Sequence, residues 1–160
     1  MGLDRRRPPR NEATPGFKAH RDLARASQSP PCKVTITVER SPLVDPLLIV
    51  ELERPSKDAA ILRLSGEIDM ASEDELTRAF SRLAEPGLTV VIDASKVTFI
   101  DSTGLNAFVR GKRLIHETGS RMLLVPSPQV RRVFHLVFPG PQYAEHVDSL
   151  EEALAMLEES

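Results

Sequence analysis

Apolar residues alternate with polar ones, or recur every three to four positions, along most of this chain. The two periods predict its elements. Val34-Thr35-Ile36-Thr37-Val38 alternates as a strand does. Leu48-Ile49-Val50-Glu51-Leu52 and Ala60-Ile61-Leu62-Arg63-Leu64 read as two more strands, joined through Pro55-Ser56-Lys57-Asp58 as a hairpin. Leu76, Phe80 and Leu83 line one face of a helix; Ser72 with Glu75 forms a capping box at its start, and Pro86-Gly87 ends it. Leu88 to Ile92 is nearly continuously apolar, as in a strand buried on both faces. Val97 and Phe99 continue the alternation to its end. Leu105, Phe108, Val109 and Ile115 then recur at helical spacing, to a stop near Gly119.

Met122-Leu123-Leu124-Val125 is the next strand. Ser127-Pro128 supplies a cap with proline at the first helical position, and Val130, Val133, Phe134 and Val137 form one apolar face before Pro139-Gly140-Pro141. A short strand is expected within Tyr143 to His146. The last helix is capped by Asp148 or Ser149, with Leu150, Ala153, Leu154 and Leu157 on one side. Strands alternating with helices imply an α/β domain whose sheet is mixed, because it begins with a hairpin. Four to five strands covered by about four helices are expected.

The junction between a strand end and a helix start carries the candidate chemistry. It reads Phe99-Ile100-Asp101-Ser102-Thr103-Gly104-Leu105. Asp, Ser and Thr favour helix starts because their oxygens accept the N–H bonds that the first turn leaves open. A serine there lies beside free N–H groups and the positive end of the helix dipole, a favourable place for a phosphate. By itself the motif is equally a plain helix cap.

Composition narrows the function. Residues 1–40 hold nine Lys/Arg against four Asp/Glu, whereas residues 41–160 hold twelve against nineteen. The acidic domain argues against direct nucleic-acid binding. Residues 1–44, rich in Pro and Arg, read as a disordered basic extension with a candidate strand at 34–38, and residues 45–160 as the domain. The single cysteine, Cys32, makes no internal disulfide. No apolar run approaches the roughly 20 residues that span a bilayer, and no secretory signal follows the N-terminal arginines. A cytoplasmic protein is expected.

The four histidines, His20, His116, His135 and His146, lack metal-ligand spacing, and no nucleophile elbow or Walker loop surrounds Ser102. No cofactor, metal or catalytic residue is expected. The chain reads as the substrate of an enzyme and not as one.

The Asp101-Ser102-Thr103-Gly104 stretch resembles the phosphorylation motif of the bacterial anti-sigma factor antagonists of the STAS-domain family. Leu64-Ser65-Gly66-Glu67-Ile68-Asp69, about 35 residues upstream, resembles the second characteristic segment, and Val90-Val91-Ile92-Asp93 the buried strand before the motif. The resemblance covers Leu47 to Ser160 and implies the STAS fold. It also implies that the unmodified protein binds an anti-sigma factor that is a serine kinase, freeing a sigma factor. The kinase then phosphorylates Ser102, with Thr103 as the fallback, and so releases the antagonist; a serine phosphatase restores it.

Asp69, Asp101, Ser102, Thr103 and Gly104 become the implied partner-binding residues. Thr103 is alternatively a capping residue, Gly104 a turn residue, and Asp69 a local hydrogen-bonding residue. Asp69 and Asp93 would oppose the phosphate if their loops share the edge of Ser102. Arg110-Gly111-Lys112-Arg113 makes the outer side of the motif helix basic, as for an acidic partner or a solvated face. The alternative function within the same fold is a soluble accessory subunit of a membrane transport complex. Sequence leaves the oligomeric state open.

Overall fold

A computed structural model describes residues 32–38, 47–139 and 145–159. Residues 1–31 and 39–44 of the expected extension, residues 45 and 46 of the expected domain, and Tyr143 and Ala144 of the expected short strand lie outside the described residues. Among those described, six strands form one sheet, in the spatial order in which they occur in the chain: β1 (Cys32–Val38), β2 (Leu48–Ser56), β3 (Ala59–Ile68), β4 (Thr89–Ile100), β5 (Arg121–Pro126) and β6 (Glu145–His146). The β1–β2 and β2–β3 pairs are antiparallel, and the remaining pairs are parallel. The sheet is thus mixed, with six strands in place of four to five. The increase comes from both ends: 34–38 joins the sheet as β1, and the segment before the last helix contributes the two-residue β6.

Among the described residues, four α-helices cover this sheet: α1 (Glu73–Leu83), α2 (Ser102–Glu117), α3 (Pro128–Val137) and α4 (Leu150–Glu158). The two faces of the sheet are covered unequally. Val90, Ile92 and Ala94 of β4 and Leu124 of β5 point into the larger core, with Leu76, Phe80 and Leu83 of α1, Phe108 and Ile115 of α2, and Val130 and Phe134 of α3. Val91, Leu123 and Val125 point the other way and pack with Ala153 of α4, flanked by Leu150, Leu154 and Leu157. The continuous apolar runs of β4 and β5 follow from burial on both sides. Three aromatic rings stitch the helical layer together edge to face: Phe80 to Phe108 with centroids 5.4 Å apart, and Phe108 to Phe134 at 5.8 Å.

Three local expectations are corrected. Ser72 does not cap α1 by its side chain. A 3₁₀ turn, Met70–Ser72, precedes that helix with Asp69 as its cap, so the capping box lies one turn earlier. The buried Ser72 hydroxyl accepts from the Asp69 N–H at 2.9 Å and donates to the Asp69 carbonyl at 3.0 Å. Phe99 does not share the buried side of Val97, because Thr98 is an extra residue opposite β3: Gly66 pairs with Val97 and Glu67 with Phe99. This bulge turns Phe99 outward and Ile100 inward. Val137 is half exposed; α3 ends there, and the N–H of Phe138 returns to the Phe134 carbonyl at 2.8 Å, so that Phe138 packs against the core instead.

Candidate functional site

Parallel pairing brings the ends of β3 and β4 to one edge of the sheet. Ile68 lies opposite Ile100 in register, and each strand is followed by an aspartate. The Asp101 N–H donates to the Ile68 carbonyl at 3.1 Å, which ties the two strand ends together. Asp69 turns its carboxylate to the Ala71 N–H at 2.9 Å and caps the 3₁₀ turn. Asp101 turns its own to the Gly104 N–H at 2.8 Å and caps α2. Both carboxylates therefore satisfy N–H groups that a helical start leaves without internal partners.

Ser102 follows as the first residue of α2 and is exposed. Its cap is supplied by Asp101, which leaves its hydroxyl out of the capping role, at the positive end of the helix dipole. Thr103 is half-buried behind it. Gly104 is buried, and a Cβ built there would stand 2.5 Å from Ile68 Cγ2 and 2.7 Å from the Ile68 carbonyl oxygen. The close backbone approach that glycine permits is made to Ile68 of the same chain.

Asp93 does not join this edge. It lies eight positions upstream on β4, and at roughly 3.3 Å per residue it is some 20 Å or more away. Its carboxylate accepts from the Ser95 hydroxyl at 2.6 Å and the Ser95 N–H at 3.1 Å. The basic side of α2 is largely neutralised within the domain. Arg110 pairs with Glu73 at the start of α1, and Arg113 with Glu117 at 2.9 Å. Burial holds the Lys112 ammonium below its ordinary pKa.

The edge carries two exposed apolar residues, neither of them expected as a partner-binding residue. Met70, next to Asp69, is 74% exposed, and Phe99, two residues before Asp101, is 45% exposed. Both are large apolar side chains left exposed where β3 and β4 end. Met70 carried a usable signal, a methionine in a polar Asp-Met-Ala-Ser-Glu turn; Phe99 was concealed by the bulge.

The STAS domain family model matches residues 50–138, more than half of the chain and all of the site just described. The chain belongs to the STAS domain family. Among relatives, this STAS domain is 29% identical over 94 residues to the anti-sigma F factor antagonist of Lysinibacillus sphaericus, an alignment covering 57% of this chain and 80% of that protein. An anti-sigma factor antagonist from Mycobacterium paratuberculosis superposes with a TM-score of 0.57 at 26% identity, covering 69% of this chain and 94% of that one.

The Bacillus cell fate determinant SpoIIAA, an anti-sigma factor antagonist, shares the fold in both its forms. The unphosphorylated structure gives a TM-score of 0.55 at 23% identity, over 69% of this chain and 97% of that one. The phosphorylated structure gives 0.52 at 24%, over 68% and 98%. The STAS match begins within β2, so β1 lies outside it. No helix among the described residues is long and apolar enough to cross a membrane.

Proposed function

We propose that this STAS domain is an anti-sigma factor antagonist, a cytoplasmic binding protein without catalytic activity of its own. In this reading its unmodified form binds an anti-sigma factor that is also a serine kinase, which frees a sigma factor. Phosphorylation of Ser102 ends the complex, and a serine phosphatase restores the binding form. The observation that carries the reading is the exposed Ser102 at the start of α2, relieved of capping by Asp101. The relatives named as anti-sigma factor antagonists support it.

The physics favours a switch read by binding over one read by unfolding. A phosphate adds about 1.5 to 2 negative charges and strong acceptor oxygens. On the free domain these remain in water, where the helix dipole offsets about 0.3–1 kcal/mol and repulsion from Asp101 and Asp69 is screened. Beneath a partner the dianion loses its water, at a cost of several kcal/mol. Each 1.4 kcal/mol is about tenfold in affinity, so a loss of several hundredfold follows. Met70 and Phe99 supply apolar area to the complex; Asp69, Asp101, Thr103 and Gly104 hold the edge in shape around Ser102.

The test is incubation with ATP and the anti-sigma factor kinases of the same genome, followed by phosphosite mapping by mass spectrometry. Phosphate on Ser102 is the expected result. Phosphate confined to other residues, or none with any of these kinases, would overturn the assignment.

A further inference from the structure

The two edges of the sheet are unlike. On one side it ends in β6, two residues long, the short edge by which sheets avoid joining other chains. On the other, among the described residues, it ends in β1, seven residues of Cys-Lys-Val-Thr-Ile-Thr-Val without proline. The pairing of β1 with β2 is regular from Cys32↔Arg54 to Val38↔Leu48, so no bulge twists this edge out of use. Its one charge, Lys33, is drawn back onto Glu51 of β2 at 3.4 Å. Val34, within this strand, is 40% exposed.

We propose that β1 pairs with β1 of a second copy, antiparallel about Thr35, to make one continuous sheet through a symmetric dimer. The sequence of the strand suits its own reversal. A two-fold axis at Thr35 sets Val34 opposite position 36 of the second copy, Cys32 opposite position 38, and Lys33 opposite position 37, so that apolar positions meet apolar ones and polar meet polar. The two copies of Lys33 fall four positions apart, about 13 Å, beyond the Debye length at physiological salt. A strand added at a regular open edge satisfies the outward main-chain groups along its length.

This pairing leaves the switch free. Val38 pairs with Leu48, and Leu48 with Gly66, so β1 ends at the Ser102 edge of its own sheet. Antiparallel pairing of two copies therefore sends their Ser102 edges in opposite directions. Each copy keeps its site open, and two partners bind one dimer without meeting.

Sedimentation velocity of the full chain tests this. A dimer is expected at about 100 μM, and Thr35→Lys, which opposes two ammonium groups across the axis, should weaken association by about tenfold or more. Thr35→Cys in a Cys32→Ser background tells strand pairing from mere loss of β1: mild oxidation should give a covalent dimer on non-reducing gels. A chain that remains monomeric at that concentration, a dimer indifferent to Thr35→Lys, or a Thr35→Cys variant that fails to cross-link overturns the proposal. Phosphate mapping at Ser102 is independent of each of these results.

Discussion

Gly104 rests on the main chain of Ile68: a side-chain carbon at position 104 would approach the Ile68 carbonyl oxygen to 2.7 Å. The start of α2 is thereby fixed against the end of β3, and Ser102 against the loop of Asp69. A carbonyl oxygen held in a sheet cannot move aside as a flexible side chain does.

Gly104→Ala should therefore lose about 1–3 kcal/mol of stability, although alanine is the better helix former by about 1 kcal/mol. Urea denaturation checks this. A gain in stability would show that α2 can shift on β3 at no cost.

Asp101→Ala removes the acceptor for the Gly104 N–H and should cost about 0.5–2 kcal/mol. Asp101→Asn keeps an oxygen in place and should fall within a few tenths of wild type. Equal losses for both variants in thermal melts would mean that charge, and not capping, is the contribution of Asp101.

Met70→Ser with Phe99→Ser should leave the protein folded, its melting temperature lowered by a few degrees through the covered part of the Phe99 ring. Affinity for the cognate anti-sigma factor should fall about tenfold or more, the effect of losing buried apolar anchors. Unchanged affinity in calorimetry would place the contact surface elsewhere.

Acid should loosen β6. Burial, with Arg131, His135 and Lys112 nearby, holds His146 below its ordinary pKa of 6.5, while Asp148 draws Arg131 to itself at 3.2 Å. A lowered pKa in the folded state means that the unfolded chain takes up the proton first. Stability is thus fully present above about pH 6.5 and declines as pH falls through the unfolded value toward the folded one. Because His146 stays partly in water, the decline is small. His146→Gln should remove it. The hydrogen bond from Arg121 lowers the pKa of Glu145, whose contribution is lost in turn below its ordinary 4.5. A melting temperature that rises from about pH 7 to 5.5 would contradict this.

Wherever one period governs an element, the sequence was legible. The hairpin of β2 and β3, the doubly buried β4, the Ser127 and Ser149 caps and the faces of α1 and α4 follow from alternation, helical spacing and capping chemistry. Legibility ended where tertiary pairing intervened. The extra residue at Thr98 is set by register against β3 and reverses Phe99, which alternation alone would bury. Ser72 and Asp69 both qualify as caps, and only the intervening 3₁₀ turn decides between them. Whether 34–38 joins the sheet depends on β2 offering an edge, a relation between segments that no local pattern carries. At the site, the hydroxyl-rich motif was visible, but the division of labour between Asp101 as cap and Ser102 as exposed hydroxyl required the backbone.

The most direct measurement compares Ser102→Asp with wild type for binding to the cognate anti-sigma factor, beside a thermal melt of each. A several-hundredfold weaker complex with melting temperatures within a few degrees is the predicted result. Equal affinities, or a Ser102→Asp protein that has unfolded, would contradict a surface switch at the tip of α2.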